Sequence, residues 1–421
     1  MKAARATAFG AAAFLAACAT ATENEPSSTT SVPDSDDTPE LVIARDMAVA
    51  DVTTADVFAP WDADGVPVVV MFHGSDGRRS NMEPLATEMA RSGAVVVVPS
   101  WPVITERPPS DTTEDVYFDQ TAAAVCAVRF ARSTALEHGG DPADLTVMAH
   151  SAGAPLGARV ALVEEPPWPG IDCYPDVSSH VDRFVGTAGD FAGESQYGSW
   201  IPDVYRPYDV FDLDVTNGDL EMRLIHGVDD WNVWVAVSTS FDEHLEAVGI
   251  DSDLVYVDTA HGELIDPSTP AGRLLADQLD ALVHEQPSVF DEPGARATMT
   301  FDDDGCSFDG AATTSLGRPL RVRLVADTDV PVWFSMLGFG PGLTDAEMTA
   351  LITGGPVSID DPTDTFDMAN FVRVEADSEG EMNSVFVDDS LRWVAYCMPD
   401  AGSTHPAAGV MHAASEVAVE P

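Results

Sequence analysis

Between residues 41 and 288, short apolar runs alternate with longer stretches whose apolar positions recur at helical spacing. Val66–Phe72 and Val95–Pro99 contain no charged residue. Such unbroken runs mark strands that are buried on both faces and covered by helices on each side. Further strands are predicted at Asp144–Ala149, Arg183–Gly189, Leu224–His226 and Leu254–Val257, after two strand-like runs within residues 41–60. Helices are predicted at about residues 80–91, 113–137, 151–163, 239–248 and 270–284, the first opening on Ser80–Glu83, which has the Ser-x-x-Glu spacing of a capping box. Strand and helix in alternation build a mostly parallel, doubly covered sheet, so the fold class is α/β.

After residue 288 the period changes to two. Leu320–Ala326, Val330–Met336, Phe371–Glu375 and Leu391–Tyr396 alternate apolar and polar positions and are separated by Gly, Pro and Asp turns. Antiparallel strands folded into a small β-sandwich are expected over residues 289–421. Its end, with Cys397, His405 and Met411, loosely resembles the copper-binding tail of cupredoxins. No second histidine lies between His284 and His405, so a cupredoxin-like or immunoglobulin-like fold without metal is expected. Asp302–Gly305 reads as a solvated acidic turn, with calcium binding as the weaker alternative.

The first residues carry a separate message. Lys2 and Arg5 precede an apolar stretch, Ala6–Ala17, that is too short to span a bilayer as a mature helix. Residues 1–17 therefore read as a signal peptide. Leu15–Cys18 resembles the bacterial lipobox, which implies that Cys18 is lipidated and that the chain is anchored to the outer face of a membrane, or otherwise secreted. Residues 18–40 are rich in Thr, Ser, Pro and Asp and read as a flexible tether. With Cys18 set aside, four of the five cysteines remain, an even number in an oxidising compartment. Cys126 and Cys173 both lie before residue 289, Cys306 and Cys397 after it, so pairing within each region is expected.

Charge narrows the partners. The chain carries a formal net charge of −51 over 421 residues, and Lys2 is its only lysine. Phosphate would be repelled and no basic stripe exists, which argues against nucleic acid. Self-repulsion at this density weakens the folded state in dilute buffer, and salt relieves it, because the Debye length shrinks to roughly 3 Å at molar ionic strength. A saline habitat is expected, and the melting temperature should rise between low and molar salt. A flat melting temperature across that range would overturn this reading.

The candidate chemistry sits at the corner after Asp144–Ala149. The predicted strand runs through His150 into Ser151, Ala152 and Gly153, where a helix is predicted to begin. A sharp strand-to-helix turn strains the central residue, exposes its hydroxyl and requires small neighbours on either side. An ordinary turn between strand and helix is the plainer alternative. Three further strand ends add to the picture: Phe72 is followed by His73–Gly77, Leu224–Gly227 by Val228–Asp230, and Leu254–Val257 by a loop containing His261. Serine, acid and histidine thus occur in that chain order.

This arrangement resembles the α/β-hydrolase superfamily, in the esterase branch of dienelactone-hydrolase-like and feruloyl-esterase-like enzymes, over roughly residues 41–285. The resemblance implies Ser151 as nucleophile, His261 as general base and acid, and Asp230 as the carboxylate that orients His261. It also implies an oxyanion hole from the N–H groups of Ala152 and Ser75, in the loop that holds Gly74. Ala149 stands where the motif usually has glycine, and a serine in place of cysteine argues against dienelactone hydrolysis itself. Asp229 and Asp190 are the rival acids. His73 is expected to brace the oxyanion loop, while His150 and His226 read as packed histidines.

No clustered metal ligands or cofactor motifs appear, so neither is expected. Trp101, Trp231 and the aromatics from Phe191 to Phe211 suit an acyl or aryl pocket, or simply dock a loop on its own domain. The expected activity is hydrolysis of a small carboxylic ester through an acyl-enzyme. A non-catalytic surface binding protein and a serine peptidase are the alternatives.

Overall fold

A computed structural model describes residues 39–75, 78–102, 114–191, 208–287, 294–339, 357–358, 368–387, 391–399 and 410–420. The signal peptide, Cys18, most of the tether, His405 and the aromatics Tyr197, Trp200 and Tyr205 lie outside the described residues.

The first eight strands are β1 (Leu41–Val49), β2 (Thr53–Pro60), β3 (Val66–Phe72), β4 (Val95–Pro99), β5 (Gly140–His150), β6 (Arg183–Thr187), β7 (Glu221–Gly227) and β8 (Ser252–Val257). They lie side by side in the order β1-β2-β4-β3-β5-β6-β7-β8. From β4 across to β8 every neighbouring pair is parallel, while β1, β2 and β4 pair antiparallel at one end. The described helices are α1 (Arg79–Arg91), α2 (Glu114–Thr134), α3 (Ala154–Ala161), α4 (Val235–Ala247) and α5 (Pro270–Val283).

Two cores explain the unbroken apolar runs. Val68, Val70 and Phe72 point to one face and pack with Val125 and Val128 of α2 and Leu156 and Val160 of α3. Val69 and Met71 point to the other, with Met82, Leu85 and Met89 of α1 and Leu275 and Leu279 of α5. Each strand residue thus has an apolar environment on whichever face it takes, and polar alternation has no place. The fold is the expected α/β class, a mostly parallel sheet covered by helices and followed by a β-rich region.

The capping box at Ser80–Glu83 does not form. α1 begins at Arg79, with Arg78 as its extended N-cap and no side-chain cap bond. Glu83 instead takes the guanidinium of Arg45, which also reaches Asp56 at 3.0 Å. An available cation from β1 outcompetes a backbone N–H for the carboxylate.

The β-rich region contains β9 (Ala295–Asp302), β10 (Gly305–Gly310), β11 (Thr313–Ser315), β12 (Pro319–Ala326), β13 (Val332–Phe339), β14 (Val357–Ser358), β15 (Met368–Val374), β16 (Ser378–Val385), β17 (Arg392–Pro399) and β18 (Val410–Glu420). One of its layers is a sheet in the order β11-β18-β17-β13-β15. The other, β16-β12-β9-β10, continues the main sheet, because β16 pairs in parallel with β8 through Ser384–Tyr256 and Val385–Val257. The boundary expected at residue 288 therefore falls inside one compact unit, Pro39–Pro421. β8 would otherwise present an unpaired edge, and β16 covers it. Pairing is also not antiparallel throughout, since β12 runs parallel to β9. Asp302–Gly305 is the turn between β9 and β10, where Asp302 Oδ1 accepts the Asp304 N–H at 2.8 Å.

Both expected disulfides are formed. Cys126 of α2 bonds Cys173, and Cys306 of β10 bonds Cys397 of β17, joining the two layers of the β-rich region. They span 47 and 91 residues, and closing loops of this length in the unfolded chain stabilises the fold by about 4 kcal/mol each in the chain-entropy account. Replacing Cys126 and Cys173 together by alanine is expected to lower unfolding free energy by roughly 2–4 kcal/mol. Equilibrium denaturation checks this, and an unchanged midpoint would contradict it.

Candidate active site

Ser151 follows the last residue of β5 and opens a short 3-10 turn, Ser151–Gly153, that runs into α3. Its φ is +55°, a left-handed conformation that a residue with a Cβ adopts only when its surroundings impose it. The surroundings are tight. A Cβ at Gly153 would lie 2.5 Å from the carbonyl oxygen of His73 and 2.9 Å from that of Phe72, so the turn can press onto the end of β3 only with glycine there. The Ala149 methyl is accommodated from the opposite side, because a Cβ at Gly157 in α3 would stand 3.0 Å from it. The departure from the usual glycine is thus met by a glycine one turn into the helix. The Asp190 N–H donates to the Ser151 carbonyl at 3.1 Å and holds the strained residue from behind.

The loops after β7 and β8 are stitched together. The Val228 N–H donates to Val257 O at 2.8 Å and the Asp229 N–H to Thr259 O at 3.1 Å. Gly227 permits the crossing, since a Cβ there would be 2.3 Å from Thr259 O. This contact brings Asp230 beside His261. His261 Nδ1 lies 2.6 Å from Asp230 Oδ2, and His261 Nε2 lies 2.9 Å from Ser151 Oγ. With Asp230 ionised, Nδ1 carries the proton and Nε2 is left to accept from the serine hydroxyl. The Asp230 side chain has no exposed surface and that of His261 is 14% exposed.

Burial alone would raise the Asp230 pKa. Hydrogen bonds from His226 and His261 and from the Val233 N–H override it and hold the carboxyl well below the usual carboxylate range. Asp230 Oδ1 accepts the N–H groups of Asn232 and Val233 at 2.8 and 2.9 Å. Of the two rival acids, Asp229 accepts the Trp231 indole N–H at 2.7 Å, and Asp190 meets the site through its backbone.

Two histidines that read as packing residues touch this constellation. His226, at the end of β7, places Nε2 3.2 Å from Asp230 Oδ2. His150 lies against the His261 ring, with centroids 4.7 Å apart, and its Nδ1 is 3.1 Å from Thr187 Oγ1. Burial, with the His261 ring adding to it, pushes the His150 imidazole down to about 3, so it stays neutral beside His261. The available signal was position, because both sit at carboxyl ends of strands, where functional groups of such sheets gather.

The loop after β3 is braced as expected. His73 Nδ1 donates to Gly74 O at 2.8 Å, its ring stacks on Trp101 with centroids 5.3 Å apart, and Trp101 donates to His73 O at 3.2 Å. Burial lowers the His73 pKa, so the ring is a neutral strut. A Cβ at Gly74 would lie 3.0 Å from Ser151 Cβ, so this loop rests directly on the serine. Ser75 follows on the exposed rim and Ala152 is half-buried. Asp76 and Gly77 lie outside the described residues.

The aromatics divide. Phe191 stacks on Phe241 at 4.1 Å, Phe211 packs edge-on to Phe241, and Tyr208 stacks between Tyr117 and Trp168. These three dock their segment on the domain. Trp231 stands 83% exposed next to Asp230. Among the described residues, no group of three or more His, Cys, Asp or Glu side chains is placed to hold a metal ion, and no helix is long and apolar enough to cross a membrane.

No family model matches the chain, and no curated protein is similar to it in sequence. Solved structures are similar in chain path. One is esterase 2 from the planctomycete Thermogutta terrifontis with propionate bound, 19% identical with a TM-score of 0.45, covering 60% of this chain and 96% of that one. The same enzyme phosphoramylated by tabun gives 19% identity, a TM-score of 0.45 and coverages of 60% and 97%. Its apo form gives 20%, 0.44, 60% and 96%. At this level of similarity, substrates and residue roles do not pass from that enzyme to this chain.

Proposed function

We propose that the chain is an exported serine hydrolase that cleaves carboxylic esters. The observation that carries the reading is the hydrogen-bonded line from Asp230 through His261 to Ser151, held on a strained serine at the sheet edge. Ser151 Oγ attacks the ester carbonyl while its proton passes to His261 Nε2, and Asp230 stabilises the imidazolium that forms. Negative charge develops on the former carbonyl oxygen, where the N–H groups of Ala152 and Ser75 are the proposed donors. Ala152 supports this role because it stands in the first turn of a helical segment, whose N–H groups have no partner within the helix. Collapse of the tetrahedral intermediate expels the alcohol, which takes the proton from His261 and leaves an acyl group on Ser151. Water then attacks, with His261 again accepting a proton, and the carboxylic acid departs with Ser151 restored.

The lipid anchor at Cys18 and the outer-surface location belong to the same proposal. They are supported by Leu15–Cys18 and by two disulfides, which persist in oxidising compartments. Turnover of p-nitrophenyl acetate and butyrate tests the activity. The proposal expects hydrolysis with a burst of p-nitrophenol equal to the enzyme present. A purified, folded chain that hydrolyses neither ester would sink it.

A further inference from the structure

We infer that His226 is a positioning residue for ester hydrolysis, holding the Asp230 carboxylate in the orientation that receives His261; this rests on the reading of Ser151, His261 and Asp230 as a triad. Neither the His226 nor the Asp230 side chain has exposed surface. His226 Nε2 lies 3.2 Å from Asp230 Oδ2 and 3.0 Å from the carbonyl oxygen of Val233. Both partners only accept, so Nε2 carries the proton and shares it between them. His226 Nδ1 lies 2.7 Å from Ser238 Oγ on α4, so the hydroxyl donates and fixes that tautomer. One tautomer of the imidazole meets every contact.

The placement has a particular consequence for Asp230. Its Oδ1 is occupied by two backbone N–H groups, and its Oδ2 lies 2.6 Å from His261 Nδ1 and 3.2 Å from His226 Nε2, whose N–H is shared with the Val233 carbonyl oxygen. The backbone pair alone leaves the carboxylate free to swing about the Oδ1 contacts. His226 Nε2 stands beside the same oxygen that His261 uses and restricts that freedom. A carboxylate with three donors and the shared His226 N–H beside it in the interior is held in its rotamer. A merely architectural histidine, tying β7 to α4 through Ser238, would affect stability and leave the chemical step alone.

The test compares wild type with His226→Phe, which keeps a ring and loses the donor, and His226→Gln, whose amide donates from near the Nε2 position. His226→Phe is expected to lower kcat for p-nitrophenyl acetate by roughly 10- to 100-fold, the loss of one hydrogen bond to a charged group, with KM unchanged. His226→Gln is expected to recover most of that loss. The low-field proton NMR resonance of the His261–Asp230 hydrogen bond should weaken in His226→Phe and persist in His226→Gln. Wild-type kcat in His226→Phe, or equal losses in the two variants, would overturn the inference. If His226→Phe does not fold, Ser238→Ala reads the same linkage: a several-fold lower kcat supports it and an unchanged kcat overturns it. A wild type that turns over no ester sinks the triad reading beneath; a wild type that does, matched by His226→Phe, sinks this inference alone.

Discussion

Ser151→Ala is expected to reduce ester turnover by about a million-fold while leaving the fold intact. The magnitude is that of removing the nucleophile, the role proposed for Ser151, from a triad that acts as a unit. The structure gives reason to expect a folded variant, because the turn is held by groups other than the hydroxyl. Gly153 fits under the carbonyls of Phe72 and His73, and the Asp190 N–H takes the Ser151 carbonyl. Alanine tolerates the positive φ of +55° about as well as serine does, so the melting temperature should move little. Steady-state kinetics with p-nitrophenyl butyrate, beside a thermal melt, check both halves. A variant with a tenth of wild-type activity would show that Ser151 is not the attacking group.

Asp230→Asn is expected to cost about 10⁴-fold in kcat, for a reason that can be traced atom by atom. Oδ1 accepts two backbone N–H groups, and Oδ2 faces the N–H groups of His226 and His261. An asparagine has one acceptor and one donor end. The fixed backbone N–H pair claims the carbonyl end, which leaves the amide NH₂ pointing at His261 Nδ1. His261 must then accept at Nδ1 and carry its proton on Nε2, facing Ser151, where it cannot act as a base. The buried N–H of His226 also loses Asp230 as an acceptor, so a lower melting temperature is expected alongside the kinetic loss. Parallel kinetics of Asp230→Asn and Asp190→Asn decide the point. A larger loss at Asp190 would reassign the acid.

Much of this site was legible in the sequence because the signals were local. A run such as Val66–Phe72 has one physical solution, burial on both faces of a sheet, and Val68 and Val69 duly face opposite cores. Ser151, Asp230 and His261 each follow a strand, so their convergence at one sheet edge follows from parallel pairing. What was illegible depended on contacts distant in sequence. The Ser80–Glu83 pattern was sound locally, yet Arg45 of β1 took the Glu83 carboxylate. The tolerance of Ala149 was hidden until α3 placed Gly157 against it. His226 and His150 looked like packing because their tautomers and partners, Ser238 and Thr187, come from other elements. The joining of β16 to β8 was equally hidden, since strand period says nothing about which edge a strand will cover.

The most direct test of the central claim is covalent capture. The full chain, treated with a fluorophosphonate and digested, should carry a single adduct on the peptide containing Ser151, and Ser151→Ala should carry none. Labelling that persists in Ser151→Ala, or a folded wild type that takes no label, would contradict the assignment of Ser151, His261 and Asp230 as a working triad.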